Sequence, residues 1–352
     1  MNTRRLSPAV LILAAFMVML VPVSGQAEDV DAEFEAGHWG NEATLGINML
    51  QSYYTENWNG GDKGSVVWNG TFDARAKKKL SERWHWFNTM NLAYGQNHQQ
   101  ERNSDGELYW KKPDKTDDQI KLETLLRYTN TGWDPFIGAR FESRFLDQTD
   151  PREDFTLNPL EFFETIGISR MFVETEEKRF LMRFGFTFHQ MIRDINTDSV
   201  ESEDDPDVMV YETFNEKGGD GGLELVLNYV DKMILDRVEY NTQLRFYQPV
   251  YYTGQNDLDS LNDDQWVLHD LPTDLADYTT TLDIDWENTF KANITSVINV
   301  QLHVRWVYDK YDNSVKPLAI DGELVNASAV KGSIRKVGQV KQTMSIGLGY
   351  TF

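Results

Sequence analysis

The sequence predicts an all-β fold: an antiparallel transmembrane β-barrel of about twelve strands, in a range of roughly ten to fourteen, with short periplasmic turns and long outer loops. Three observations predict it. Met344, Ile346, Leu348, Tyr350 and Phe352 fall on one side of an extended closing strand, and Ser345, Gly347, Gly349 and Thr351 on the other. That period of two gives one apolar flank and one small or polar flank. Similar half-apolar runs recur along the chain, separated by gaps that alternate between long and short, as a single-chain bacterial barrel requires. Finally, Arg4 and Arg5, the apolar run 9–23 and the small residues around Gly25-Gln26-Ala27 read as a secretory signal peptide.

Composition agrees and excludes alternatives. The 352 residues contain no cysteine, which removes disulfides, thiolate nucleophiles and Cys-based zinc sites. The chain is too polar for a bundle of membrane helices, each of which needs about 20 mostly apolar residues. Its formal charge of -22 argues against nucleic acid as a partner. Residue 28 is Glu rather than Cys, so a lipid-anchored mature N-terminus is not expected. The organisation expected is a signal peptide over 1–27, a periplasmic leader over 28–42 and a barrel over 43–352.

Taken in order, the first strand is expected over 44–52, before the turn cluster 53–61. The second, 65–79, sets Val66, Trp68, Phe72, Ala74 and Ala76 against Asn69, Thr71, Asp73, Arg75 and Lys77. The third, 83–97, carries Trp84, Trp86, Met90, Leu92 and Tyr94 on its apolar flank. After a polar gap, 117–129 opposes Ile120, Leu122, Leu126 and Tyr128 to Lys121, Glu123 and Arg127, and 136–146 opposes Ile137, Ala139, Phe141 and Phe145 to Arg140, Glu142 and Arg144. The sixth, 159–173, alternates weakly and its register stays open. The seventh, 178–195, is the clearest, with Phe180, Met182, Phe184, Phe186 and Phe188 against Arg179, Arg183, Thr187 and His189. An acidic gap over 196–222 precedes the eighth, 223–230, with 208–214 able to add part of a hairpin. The ninth, 235–251, places Arg237, Glu239, Gln243 and Arg245 on its polar flank, the tenth, 277–290, Asp283, Asp285 and Glu287, and the eleventh, 294–309, Asn299, Gln301, His303 and Arg305. Trp84, Trp86, Phe290, Tyr350 and Phe352 then lie near the short-turn rim, and Trp68, Tyr94, Trp306, Tyr308 and Tyr278 near the long-loop rim, as two aromatic girdles would.

Asn57-Trp58-Asn59-Gly60-Gly61, the run Asn88 to Gly95 and Lys115-Thr116-Asp117-Asp118 carry a resemblance. On these features, residues 56–172 resemble a family of uncharacterised bacterial outer-membrane β-barrel proteins, a domain of unknown function with an Asn-Trp-x-Gly-Gly motif. The resemblance implies fold and location in the outer membrane of a Gram-negative cell. It implies no activity.

Charged strand residues facing hydrocarbon would cost roughly 2–4 kcal/mol each near the midplane, so the charged flanks are assigned to the lumen. The expected lumen-lining set is Arg75, Lys121, Glu123, Arg127, Arg140, Glu142, Arg144, Arg183, Arg237, Glu239, Arg245, Asp283, Asp285, Glu287 and Arg305. A basic wall facing an acidic one makes a transverse field in a constriction. The alternative is a lumen closed by cross-strand ion pairs, such as Glu123 with Arg140 or Arg144. About eight strands leave a side-chain-filled interior and 16–18 an open channel, so twelve does not decide. Leu348, Tyr350 and Phe352 are read as the signal recognised by the barrel-assembly machinery. The gaps 196–222 and 253–276 are strongly acidic. Calcium or magnesium could bridge them weakly to surface polysaccharide, but solvated loops are the reading favoured, and no cofactor is expected.

An enzyme is not expected. The acidic pair Asp117-Asp118 has no His at useful spacing, and His85, His189 and His303 fall on strands about 120° apart in a twelve-strand barrel. The function expected is a narrow or gated passive channel for small polar solutes. The alternatives are a non-conducting envelope-organising barrel acting through its outer loops, and a rim-located hydrolase.

Overall fold

The computed structural model describes residues 37–351 apart from 54–62, 105–106, 131, 176, 202–208, 234–236, 262, 296–297, 321–322 and 336. The signal peptide, most of the leader, the Asn57 to Gly61 motif and Phe352 lie outside the described residues.

Among the described residues, twelve long strands form the ring of the main sheet: β1 (Trp39–Ser52), β2 (Ser65–Lys79), β3 (Trp84–Arg102), β4 (Asp114–Tyr128), β5 (Asp134–Ser143), β6 (Leu160–Glu174), β7 (Lys178–Asn196), β8 (Thr213–Met233), β9 (Val238–Tyr252), β10 (Asp283–Asn293), β11 (Ile298–Tyr308) and β12 (Gln339–Thr351); a thirteenth, the three-residue strand Leu108–Trp110, pairs only with the outer end of β3. Each pairs antiparallel with its sequence neighbours, and β1 pairs with β12 through Leu45 opposite Tyr350 and Ile47 opposite Leu348. The ring of ladders is therefore closed, and no barrel strand is left as an edge. No helix among the described residues is long and apolar enough to cross a membrane.

Register separates the two faces. Directly opposed residues in an antiparallel ladder project to the same side. Glu123 on β4 bonds Arg183 on β7, three strands away, which only an inward chord allows. The ladder Glu42, Arg75, Thr89, Glu123, Arg140, Phe163, His189, Asp220 is thereby inward on successive strands. The other parity is outward and apolar. Ile47, Ile137, Ile166, Phe184, Met344 and Ile346 are exposed there, in the position of a lipid-facing belt. Polar side chains on this face are satisfied locally, as hydrocarbon requires. Trp86 Nε1 donates to Thr124 Oγ1 at 2.8 Å and Thr124 donates to Asn88 Oδ1 at 2.8 Å. At the short-turn end, ring contacts run Phe172–Phe180, Phe180–Tyr229, Tyr229–Tyr240 and Tyr240–Phe290.

Several boundaries differ from the sequence expectation, each for a local reason. β1 starts at Trp39, inside the expected leader, because Trp39 packs on Trp86 with ring centroids 5.3 Å apart and pairs with Lys78. The weak alternation of β6 reflects mixed faces: Phe163 opposes the inward Arg140 and His189, while Glu164 opposes Ala139 and Phe188 on the outward side. Near the end of the strand a bulge, with Val173 opposite Phe180 and Met171 opposite Leu181, leaves Phe172 extra. β8 begins at Thr213, ten residues before the expected start. Its Gly218-Gly219-Asp220-Gly221-Gly222 run reads as a turn, but glycine is needed there for close packing: a Cβ on Gly219 would collide with the His189 carbonyl oxygen, and one on Gly222 with that of Gln248. A two-residue ribbon, Val200–Glu201 against Met209–Val210, is what 208–214 adds before β8. β10 begins at Asp283, and Tyr278 sits on a short loop helix under Lys310 rather than in a strand girdle.

The largest correction concerns the outer loops. Segment 253–282, which contains the acidic gap 253–276, is not merely a solvated loop, and neither is segment 309–338. They contribute α1 (Gln255–Asp259), α2 (Asp263–Leu268), α3 (Leu275–Tyr278) and α4 (Ala327–Ser333), which pack around Leu258, Leu261, Trp266, Leu271, Leu275, Tyr311, Leu324 and Val330. Each such side chain contributes about 1.5–3 kcal/mol on burial, enough to hold short helices that would not form alone. In 253–276 the acidic charge masked the sparse apolar positions. Loop 197–212 joins this cap through Asp198 N to Val325 O at 2.7 Å, and loop 144–159 joins through Arg152 Nη1 to Thr197 O at 3.0 Å.

Candidate functional site: the lumen and its outer mouth

The lumen is divided lengthwise. From β4 to β9, inward side chains meet across the axis. Arg183 Nη1 donates to Glu123 Oε1 at 2.6 Å, Arg140 pairs with Glu142 at 2.7 Å and Glu224 at 3.5 Å, and Arg245 pairs with Glu224 at 3.2 Å. The Arg140 guanidinium lies 4.0 Å over the Phe163 ring, which stacks on His189 at 4.2 Å. His189 Nδ1 is 3.0 Å from Asp220 Oδ2, and Tyr247 donates its hydroxyl proton to Asp220 Oδ1. A void of about 20 Å³ lies between Glu123, Arg140, Arg183 and Glu224. That is room for about one water molecule. Segment 311–317 closes this sector from outside: Arg193 Nη1 donates to Ser314 Oγ at 3.1 Å, and the Tyr252 and Tyr311 hydroxyls donate to the Val315 carbonyl at 3.1 and 2.6 Å.

The remaining sector, walled by β10–β12 and β1–β3 with the adjoining face of β4, is wetter. Arg75 is half exposed and 3.9 Å from Glu42, and Asp73 is exposed and accepts from Asn91 Nδ2 at 2.6 Å. Lys121 stands opposite Glu142 in the ladder, a carboxylate already engaged with Arg140. Arg305 holds Asp285 through two bonds of 2.9 and 2.8 Å and reaches Glu287 at 3.4 Å. At the outer end, Lys341 Nζ on β12 donates to Asp117 Oδ1 on β4 at 2.8 Å, and Asn69 Nδ2 on β2 donates to Asp117 Oδ2 at 2.9 Å. Above them opens a vestibule of about 780 Å³, lined by Lys112, Lys115, Asp117, Asp118, Arg144, Asp150 and Asp154 among others.

Not every expected lumen residue is there. Arg144 lies beyond the end of β5, paired with Asp147 at 3.5 Å on the vestibule rim. Arg237 is exposed in the turn before β9, where its carbonyl accepts from Asn293 N, because the tight turn begins later than the charge pattern suggests. Arg127 reaches Asp134 at 3.9 Å near the short-turn end, and Glu239 opposes Lys291 there. Asp283 is the first residue of β10 and opposes Tyr247. The expected Glu123–Arg140 or Glu123–Arg144 pairing gives way to Glu123–Arg183: Arg140 opposes Glu123 in register but turns to Glu142, Glu224 and the Phe163 ring. Leu348 and Tyr350 take their places in the β12 ladders, and Phe352 is outside the described residues.

The acidic pair at the start of β4 is occupied. Asp118 accepts from Phe145 N at 2.6 Å, Leu146 N at 3.0 Å and Lys115 Nζ at 2.8 Å. His85, His189 and His303 lie on β3, β7 and β11, and no group of three or more His, Asp or Glu among the described residues is arranged to hold a metal ion. Sequence reading missed Asp220, Tyr247 and segment 311–317, all hidden in stretches that read as loop or plain strand. It also missed Lys341, whose signal was only its even spacing with Thr343 and Ser345.

A family model described as "Protein of unknown function (DUF3078)" matches residues 49–148, which include the Asn88 to Gly95 run and Lys115 to Asp118. No curated protein matches. Among solved structures, the translocator domain of the autotransporter NalP from Neisseria meningitidis is 8% identical over 98% of this chain and 96% of its own, with a TM-score of 0.35. An outer-membrane channel from Pseudomonas putida F1 is 10% identical over 93% and 99%, also at 0.35. The NanC porin is 9% identical over 88% and 98%, at 0.32.

Proposed function

We propose that this barrel sits in the outer membrane of a Gram-negative cell and passes small polar solutes along one side of its lumen, without catalysing a reaction. The observation that carries the reading is the lengthwise division: an ion-paired, capped sector beside one whose inward residues Arg75, Asp73 and Lys341 remain exposed beneath a vestibule of about 780 Å³. A passage of this kind is narrow, and Asp117–Lys341 spans its mouth. Purified protein in planar bilayers is expected to give discrete conductance steps. A silent membrane across voltages overturns the reading.

One observation favours a second reading, a non-conducting envelope protein acting through its surface. The outer cap has its own apolar core, more than a passive loop needs. Replacing 199–211 by a short linker, which spares β8 from Thr213 onward, tests it. A lost binding or integrity phenotype with unchanged permeability supports the second reading over the first.

A further inference from the structure

The ion pairs of the wet sector share an asymmetry. In each, the cation reaches further into the water than the carboxylate it meets. The Arg75 side chain is 51% exposed against 30% for Glu42, Lys341 50% against 16% for Asp117, and Arg305 35% against 14% for Asp285 and 23% for Glu287. The cause is geometric. Short Asp and Glu side chains stay near the wall, where Asn69 and Lys341 bind Asp117 and Arg305 grips Asp285 by two bonds, while the longer Lys and Arg stems carry their charge off it. Lys121 adds a further ammonium on the same wall, and Asp73 is the exposed acid opposing this trend.

We propose that this line of cations makes the passage prefer small anionic solutes, although the protein as a whole is strongly acidic. The inference rests on the channel reading above. Pore selectivity follows the charges that face the permeating ion, and lumen Lys and Arg favour anions. The acidic surface sits mainly on loops, where salt screens it within about 8–10 Å.

The test is the reversal potential of the full-length protein in planar bilayers across a potassium chloride gradient. The expected sign is that set by chloride. In the Arg75→Glu, Lys121→Glu, Lys341→Glu variant the sign is expected to reverse. The milder Arg75→Gln, Lys121→Gln variant, should the triple variant fail to assemble, is expected to move the potential toward zero. A wild-type potential set by potassium, or one unchanged by either variant, overturns this inference while leaving the channel reading standing. The absence of any conductance overturns both.

Discussion

Asp117 and Lys341, 224 residues apart, meet at 2.8 Å across the wet side of the outer mouth, with three strands of wall between their own. Lys341 is half exposed, so the pair contributes about 0–1 kcal/mol to stability. A contact this weak can open without threatening the barrel. Lys341→Ala is expected to leave thermal unfolding nearly unchanged and to raise single-channel conductance. Conductance equal to wild type would show that the pair does not constrict the passage.

The cap is expected to loosen separately from the barrel. Leu258 is fully buried, and truncating such a leucine costs about 2–5 kcal/mol. Leu258→Ala should speed proteolysis and hydrogen exchange across 253–282 and 309–338 while β1–β12 keep their protection. Equal loss in both would mean that cap and barrel unfold as one unit.

Two glycines should respond oppositely to an added methyl. In Gly219→Ala the new Cβ meets the His189 carbonyl oxygen, a backbone atom held in the β7–β8 ladder, so a large loss of assembled, heat-modifiable barrel is expected. Gly332 in α4 has nothing within 4 Å of that position. Gly332→Ala should stabilise the cap by roughly 0.5–1 kcal/mol, since alanine loses less backbone entropy in a helix. Undisturbed assembly of the Gly219 variant would refute the close approach.

Acid should detach two outer loops from each other. Asp150 bonds Arg152 through both carboxylate oxygens, and that guanidinium also reaches Thr197 and Ser199. Hydrogen bonds from Arg152, against the opposing effect of burial, hold the Asp150 carboxyl at about 2, below its ordinary value. A depressed carboxyl stabilises the folded form above the unfolded pKa of about 4, and that contribution fades as pH falls toward about 2. Exchange protection of 144–159 is therefore expected to hold from neutral pH to about 4 and to weaken below it. Asp150→Asn should show the weakened state at neutral pH. A variant with wild-type protection at pH 7 would contradict this.

Much of the barrel was legible in the chain itself. β2 occupies Ser65–Lys79 as its alternation predicts, because an extended backbone imposes a period of two that one hydrophobic and one aqueous surface select directly. The same local physics misled where one residue type serves two ends. The glycines of β8 signal a turn when read alone and a close strand approach once β7 is beside them.

What the sequence by itself determined is which residues can lie outward and which inward, because that depends only on neighbours two positions away. The tertiary structure decided which charges neutralise one another, which loops share a core and which side of the lumen stays wet. Arg183 chooses Glu123 from 60 residues away, and segment 311–317 covers β7–β9 rather than β1–β3. Such choices are made by chords across a closed cylinder, whose ends are near in space only after every intervening ladder has formed.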